Sequence, residues 1–335
     1  MVTITRRGAL GAAAATLLAA PAVRAQGAFP NKPIRMIVPY PPGGVTDIMG
    51  RLAAEAMSRQ LGQPIVVENR AGAGGNIGAK AAAAAEPDGY TLLLGTSATQ
   101  GVNPVLYPDP AFDPRRDLAP VGQVVTGAVL CVVNAGTAAR RGWTDYPALV
   151  AWARAHPEEV RMGSSGTGTT SHLVIEAVNR ATGARITHVP YRGGGPAIND
   201  LLAGTIDMMF DVIPALMPHV RAGRFRPLAV GSAERITYVP ELREVPGMRE
   251  VLPNSGIDMQ SWYATVLPAR VPAPVVARWH EALAQVVRSA EFRERLSPLG
   301  FEPIADETPA AFGQYLNSQL AVWERLVRDS GASLE

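Results

Sequence analysis

The chain has 335 residues, 47% of them hydrophobic and 18% charged, with a formal net charge of +2, five histidines and a single cysteine. So even a balance offers no electrostatic footprint for nucleic acid or an anionic membrane, and one thiol, Cys131, cannot form an internal disulfide. The length favours two domains over one and buries enough surface for the core alone to hold the fold.

Residues 1–25 read as an export segment. A basic start (Arg6, Arg7) precedes an apolar run from Ala9 to Ala20, Pro21 breaks it, and Val23-x-Ala25 fits a small-residue cleavage site. The run is about a dozen residues, short of the ~20 that span a bilayer, and no later segment is long and apolar enough to do so. The adjacent arginines fit a twin-arginine signal, although Ala9 stands where an aromatic residue is usual; an ordinary secretory signal remains the alternative. These 25 residues hold three arginines and no acid, so their removal takes the formal charge from +2 to −1.

The rest alternates strand and helix. IRMIV (34–38) is an apolar strand. The helix after it, about 45–61, has Ile48, Leu52, Ala56 and Met57 at helical spacing and Gly62 at its end. PIVVE (64–68) is the second strand, an alanine-rich helix runs over 76–85, and YTLLLG (90–95) is the third strand. Units of this kind imply parallel strands with right-handed crossovers. An irregular stretch (103–114) precedes one long extended segment, 120–134, the passage into a second domain. Thr144 is the expected N-cap of a helix ending before Pro157. Strands at 160–165, 186–191, 205–212 and 226–230 then alternate with helices at 170–183, 196–204 and 214–223. Segment 261–267, a helix at 274–289 and a terminal helix at 308–329 are expected to return to the first domain and cover it. The implied division is 26–125 with 231–335 as domain 1 and 126–230 as domain 2.

The chemistry-bearing loops lie between strand ends and helix starts. A helix start offers unpaired N–H groups and a partial positive charge, and glycine lets backbone approach a ligand. The first such cradle is Pro39-Tyr40-Pro41-Pro42-Gly43-Gly44, with Asp47 in the following turn. Asp47 either complements the helix dipole or receives an ammonium group or an ordered water beside a bound acid. Thr96 and Ser97 follow the third strand and can donate to a carboxylate. The run Gly163 to Thr170 carries Ser164, Ser165, Gly166 and Thr169 between a strand and a helix. It lacks both the G-x-S-x-G register of an acyl-transfer elbow and the G-K-[ST] of a phosphate loop. His172 and Glu176 share a helix face, but a metal needs further ligands that the sequence does not place beside them. The loop Tyr191-Arg192-Gly193-Gly194-Gly195-Pro196, continued by Ala197, is a fourth edge, where Arg192 either pairs with a ligand carboxylate or lies in solvent. Asp211 is a fifth, with a helix-cap role equally open. Gly44 and Gly166 are the positions where a side chain is expected to block backbone approach and forbid the required φ angle.

These loops carry a resemblance. VPYPPGGVTD, VENRAGAGGNIGA, PDGYTLLLG, MGSSGTGTTSHL, HVPYRGGGPAINDLLAG and RPLAVGSAER are similar to the tripartite tricarboxylate transporter substrate-binding proteins, the Bordetella uptake gene or TctC-like receptors, across the chain that follows the export segment. The resemblance implies an α/β fold of two domains, type II-like, each a mostly parallel sheet flanked by helices, closing by a hinge on a ligand in the cleft. It implies a monomeric periplasmic receptor, cleaved near Ala25, that binds a small organic acid without a cofactor or metal. It also implies delivery to a two-subunit membrane permease. Backbone N–H groups and waters from loops 41–47 and 164–170 would hold the carboxylate, with contacts from 96–99, 191–197 and the region of Asp211. Tyr40 stands where phenylalanine is common. An exported enzyme acting on such acids needs an activated nucleophile or metal set that the sequence does not display; a receptor that presents its closed form to a signalling partner is the third reading.

Overall fold

Residues 29–107, 112–166 and 169–330 are described by the computed structural model. The export segment, part of the irregular stretch and the loop residues Thr167 and Gly168 lie outside the described residues. From Lys32 onward the described residues form one compact unit.

Apolar runs and helix-period runs alternate, and each forms its element. β1 (Ile34–Val38) leads into α1 (Val45–Leu61), β2 (Ile65–Asn69) into α2 (Asn76–Ala83), and then comes β3 (Thr91–Thr96). β4 (Leu118–Asn134) is a single strand of 17 residues. After it come α3 (Ala135–Arg141), α4 (Tyr146–Ala155), β5 (Arg161–Ser164), α5 (Thr170–Thr182), β6 (Thr187–Pro190), α6 (Gly194–Ala203), β7 (Met208–Val212), α7 (Ile213–Arg221) and β8 (Phe225–Val230). The chain closes with β9 (Gln260–Pro268), α8 (Ala273–Arg288), α9 (Ala290–Leu296), β10 (Glu302–Pro303) and α10 (Pro309–Ser330).

Strand order is β2-β1-β3-β9-β4-β7-β5-β6, with β8 and β10 also paired to β4. The α/β class expected from sequence is present, but the sheet is mixed. β1 pairs parallel with β2 and β3, and β5 with β6 and β7, because helices make those crossovers. β9 is antiparallel to β3 and β4, and β4 is antiparallel to β7 and β8. No crossover constrains β9: it arrives from a distant return and fills the gap between β3 and β4.

β4 passes through both portions of the sheet and is buried on both faces where it pairs with β7 and β8. Val129, Cys131 and Val133 point to one cluster, with Trp143, Tyr146 and Leu173. Leu130 and Val132 point to another, with Leu201, Ile213 and Phe225. That two-residue alternation is the strand period; each such Val or Leu contributes about 1.5–3 kcal/mol by leaving water. The tail does return to the first portion. β9 joins its sheet, and the fully buried Trp279 on α8 donates from Nε1 to the carbonyl of Gly89 at 3.0 Å. α10 goes further: Phe312 packs with Ile37 and Leu93, whereas Trp323 and Val327 join Leu173 and Val174.

Two local expectations change. The cap of α4 is Asp145, not Thr144: its carboxylate accepts the N–H of Ala148 at 2.8 Å. α3, unanticipated, starts because Asn134 accepts the N–H of Thr137 at 3.0 Å as the strand ends.

Candidate functional site

Strand pairing brings the helix starts to one cleft of about 190 Å3. β3 and β9 set Thr96 opposite Tyr263, and β4 and β7 set Leu130 opposite Asp211. The cleft thus receives Tyr40 from the first cradle, Thr46 from the first turn of α1, Thr96 and Ser97 from the end of β3, and Ser261 and Tyr263 from β9. From the other portion it receives Ser165, Thr169, Thr170, Ser171 and Asp211. Hydroxyls dominate, Asp211 is the single carboxyl, and no Arg, Lys or His is among the described residues lining it.

Two helix starts face this space. α1 begins after Gly44, whose carbonyl accepts the N–H of Ile48 at 3.0 Å and which has no capping side chain. α5 begins after Thr169, whose carbonyl accepts the N–H of Leu173 at 3.1 Å. The Thr169 hydroxyl donates to the carbonyl of Gly166 at 2.7 Å and does not cap α5. First-turn N–H groups have no intrahelical acceptor, so both starts direct donors and dipole at the cleft.

The sequence candidates divide by position. Thr96, Ser97, Ser165, Thr169 and Asp211 line the cleft; Pro42, Gly43, Gly44, Asp47, Ser164, Gly166, His172, Tyr191, Gly193, Pro196 and Ala197 do not. Several of the latter shape it from behind. Buried Asp47 accepts the N–H of Gly43 at 2.9 Å, Asn69 at 2.9 Å and Arg51 at 3.0 Å. Burial works against its charge, but those donors outweigh it and hold the carboxyl below its usual range. Gly44 has an ordinary φ of −80°; the left-handed position is Gly43, at +85°. Gly166 has φ +129°, and a Cβ there would stand 3.2 Å from the carbonyl oxygen of Tyr191. Ala197 is in the core, and Tyr191 donates its hydroxyl to Asp200 at 2.7 Å. Arg192 and Pro196 are exposed.

Behind Ser165 lies a pairing that sequence reading missed. Ser164, fully buried, is 2.6 Å from Nε2 of His188, and the His188 ring stacks on His172 at 4.1 Å. Burial first, and then the neighbouring His172, push His188 down to about 4. His172 is also lowered by burial and lies 3.8 Å from Glu176. No group of three or more His, Cys, Asp or Glu among the described residues could hold a metal.

Asp211 accepts the hydroxyl of Ser165 at 2.8 Å and the N–H of Val212 at 2.7 Å. Burial raises its pKa, and those two hydrogen bonds work the other way. Tyr40 is pushed up to about 12, chiefly by burial, and donates to the carbonyl of Gly74 at 3.0 Å. Tyr263 is raised by burial too, with Thr46 and Ser261 hydrogen-bonding it. Ser261 and Tyr263 sit two apart on one strand face. That period was visible in SWY, but the strand's partner was not.

The fold and cleft have known counterparts. The chain is 35% identical over 308 residues to protein BugT of Bordetella pertussis, covering 92% of each. It is 32% identical to the R. palustris protein Rpa4515, solved with adipate, with a TM-score of 0.80 over 91% of this chain and 100% of that one. It is 31% identical to MatC from Rhodopseudomonas palustris, solved with bound malate, with a TM-score of 0.76 over 89% of this chain and 100% of that one. Residues 49–332 match the model of the tripartite tricarboxylate transporter family receptor. The chain belongs to that receptor family, whose fold of two α/β domains it shares.

Proposed function

We propose that this chain is exported, captures a small organic acid in the hydroxyl-lined cleft, and delivers it to a membrane permease of two further subunits. Its two lobes, 26–125 with 231–335 and 126–230, close on the ligand. The observation that carries this is two helix starts, one from each sheet portion, opening on one cleft with no cationic side chain among the described residues that line it. A carboxylate bridging them is stabilised by both only when they approach, so binding favours the closed form. Relatives solved with adipate and malate agree with an organic acid. Thr46, Thr96, Ser97, Thr169 and Thr170 contact the ligand in this reading, and Pro42 to Gly44 and Ser164 to Gly166 hold their backbones in place.

The enzyme reading has one feature in its favour, the Ser164–His188 pair. An imidazole held down to about 4 is a weak base at neutral pH, and fully buried Ser164 does not line the cleft. Screening mono-, di- and tricarboxylates, amino acids and aromatic acids by thermal shift tests the function, with product analysis of each hit. A bound acid should stabilise the protein by about 2.7 kcal/mol at a hundredfold excess over Kd, unchanged in composition. Turnover of a hit, or no shift with any acid, rejects the receptor function.

A further inference from the structure

The cleft has two polarities. Toward α1 and α5 it offers backbone N–H groups, which suit a carboxylate. At its other corner stands Asp211, an acceptor whose partners among the described residues are the Ser165 hydroxyl and the Val212 N–H, with no cation among them. The groups against it are the Ser165 hydroxyl, its own strand's Val212 N–H, the first turn of α6 and, across the cleft, the Tyr263 phenol. A Cβ on Gly194 would lie 2.4 Å from Oδ2 of Asp211, so the glycine leaves room for the carboxylate against the positive end of α6. Ser165 gives its one proton to Oδ2 at 2.8 Å, which leaves the serine oxygen itself facing the cleft as an acceptor. Each Asp211 oxygen has one donor and retains a free lone pair.

An acid with no second polar group therefore leaves this corner unmatched, and a second carboxylate placed here is repelled. A hydroxyl or ammonium group completes it. We propose that Asp211 selects the ligand: the cleft takes organic acids carrying a hydrogen-bond donor, a hydroxyl or an ammonium group, within reach of Asp211, and discriminates against the same acids without it. This rests on the receptor reading and narrows its ligand class. Sites built to pair a substrate hydroxyl or amine reject the analogue lacking it, because their own polar groups are then buried unpaired.

Matched series test it by calorimetry at pH 7.5 on the exported form of the protein: propionate, lactate and alanine; succinate, malate and aspartate; phenylacetate, mandelate and phenylglycine. In any series that binds, the hydroxy or amino member should bind at least tenfold more tightly than the plain acid. Asp211→Asn should bring that ratio within threefold, whereas Ser165→Ala, which keeps the carboxylate, should preserve it. Should Asp211→Asn melt far below the wild type, the wild-type ratio and Ser165→Ala decide alone. Equal affinity for plain and donor-bearing acids, or a ratio untouched by Asp211→Asn, overturns the inference while leaving an acid receptor. Failure of all nine acids, together with the wider screen, removes the receptor reading and this inference with it.

Discussion

Acid should weaken this fold in good part through one imidazole. His188 is held down to about 4, by burial and then by the stacked ring of His172, against about 6.5 in an unfolded chain. Between those values the unfolded chain takes up a proton that the native one refuses, so stability falls as pH drops through 6.5 and the loss is complete near 4. At pH 4.5 linkage gives about 2.5 kcal/mol, or about 1.5–2.5 kcal/mol once solvent screening of a part-buried ring is allowed for. Urea unfolding at pH 7.5, 6.0 and 4.5 measures it in the wild type and in His188→Gln, whose amide can still reach Ser164. The variant should lose less stability between pH 7.5 and 4.5 by that amount. Glu55, held down to about 2 by Arg295 and Arg59, contributes to both proteins alike and cancels. Equal losses in the two proteins would refute the assignment.

Three further substitutions probe the loops. Gly166→Val imposes a branched side chain at φ +129° with the Tyr191 carbonyl 3.2 Å away, a strain of about 1–3 kcal/mol; calorimetry should show binding of the best acid weakened at least tenfold. Gly44→Val, with φ −80° and its nearest neighbour at 3.9 Å, should change affinity less than threefold, and a reversed order of the two glycines contradicts this account of the loops. Arg192→Ala removes an exposed side chain and should alter affinity less than twofold by the same measurement. A larger loss would place that guanidinium on the ligand.

Continuous apolar runs such as IRMIV and helix-period runs closed by glycine were readable because local patterning and burial agree there. Strand direction was not. The antiparallel insertion of β9 joins residues 260–268 to 93–96 and 118–128, a pairing that no local signal encodes. At the cleft, Gly, Ser and Thr after a strand end marked Thr96, Ser97, Ser165 and Thr169. Tyr263, Ser261 and Val129 lie within strands, away from the Gly-, Ser- and Thr-rich loops, so register alone delivers them. The polar groups of Asp47 and Tyr191, on loops that face a cleft in sequence, are spent on Arg51, Asn69 and Asp200. The His172–His188 stack joins a helix to a strand and has no signature in spacing.

The position of β9 also orders the chain's assembly in time. β3 and β4 are made long before residue 268, yet each depends on β9 to cover an edge. Until the last quarter of the polypeptide emerges, the nascent chain carries two open strand edges flanked by apolar side chains, the kind of surface that templates aggregation. Truncation before Gln260 therefore leaves an adhesive intermediate in place of a smaller receptor, and late synthesis is the step at which a holding chaperone has most to protect.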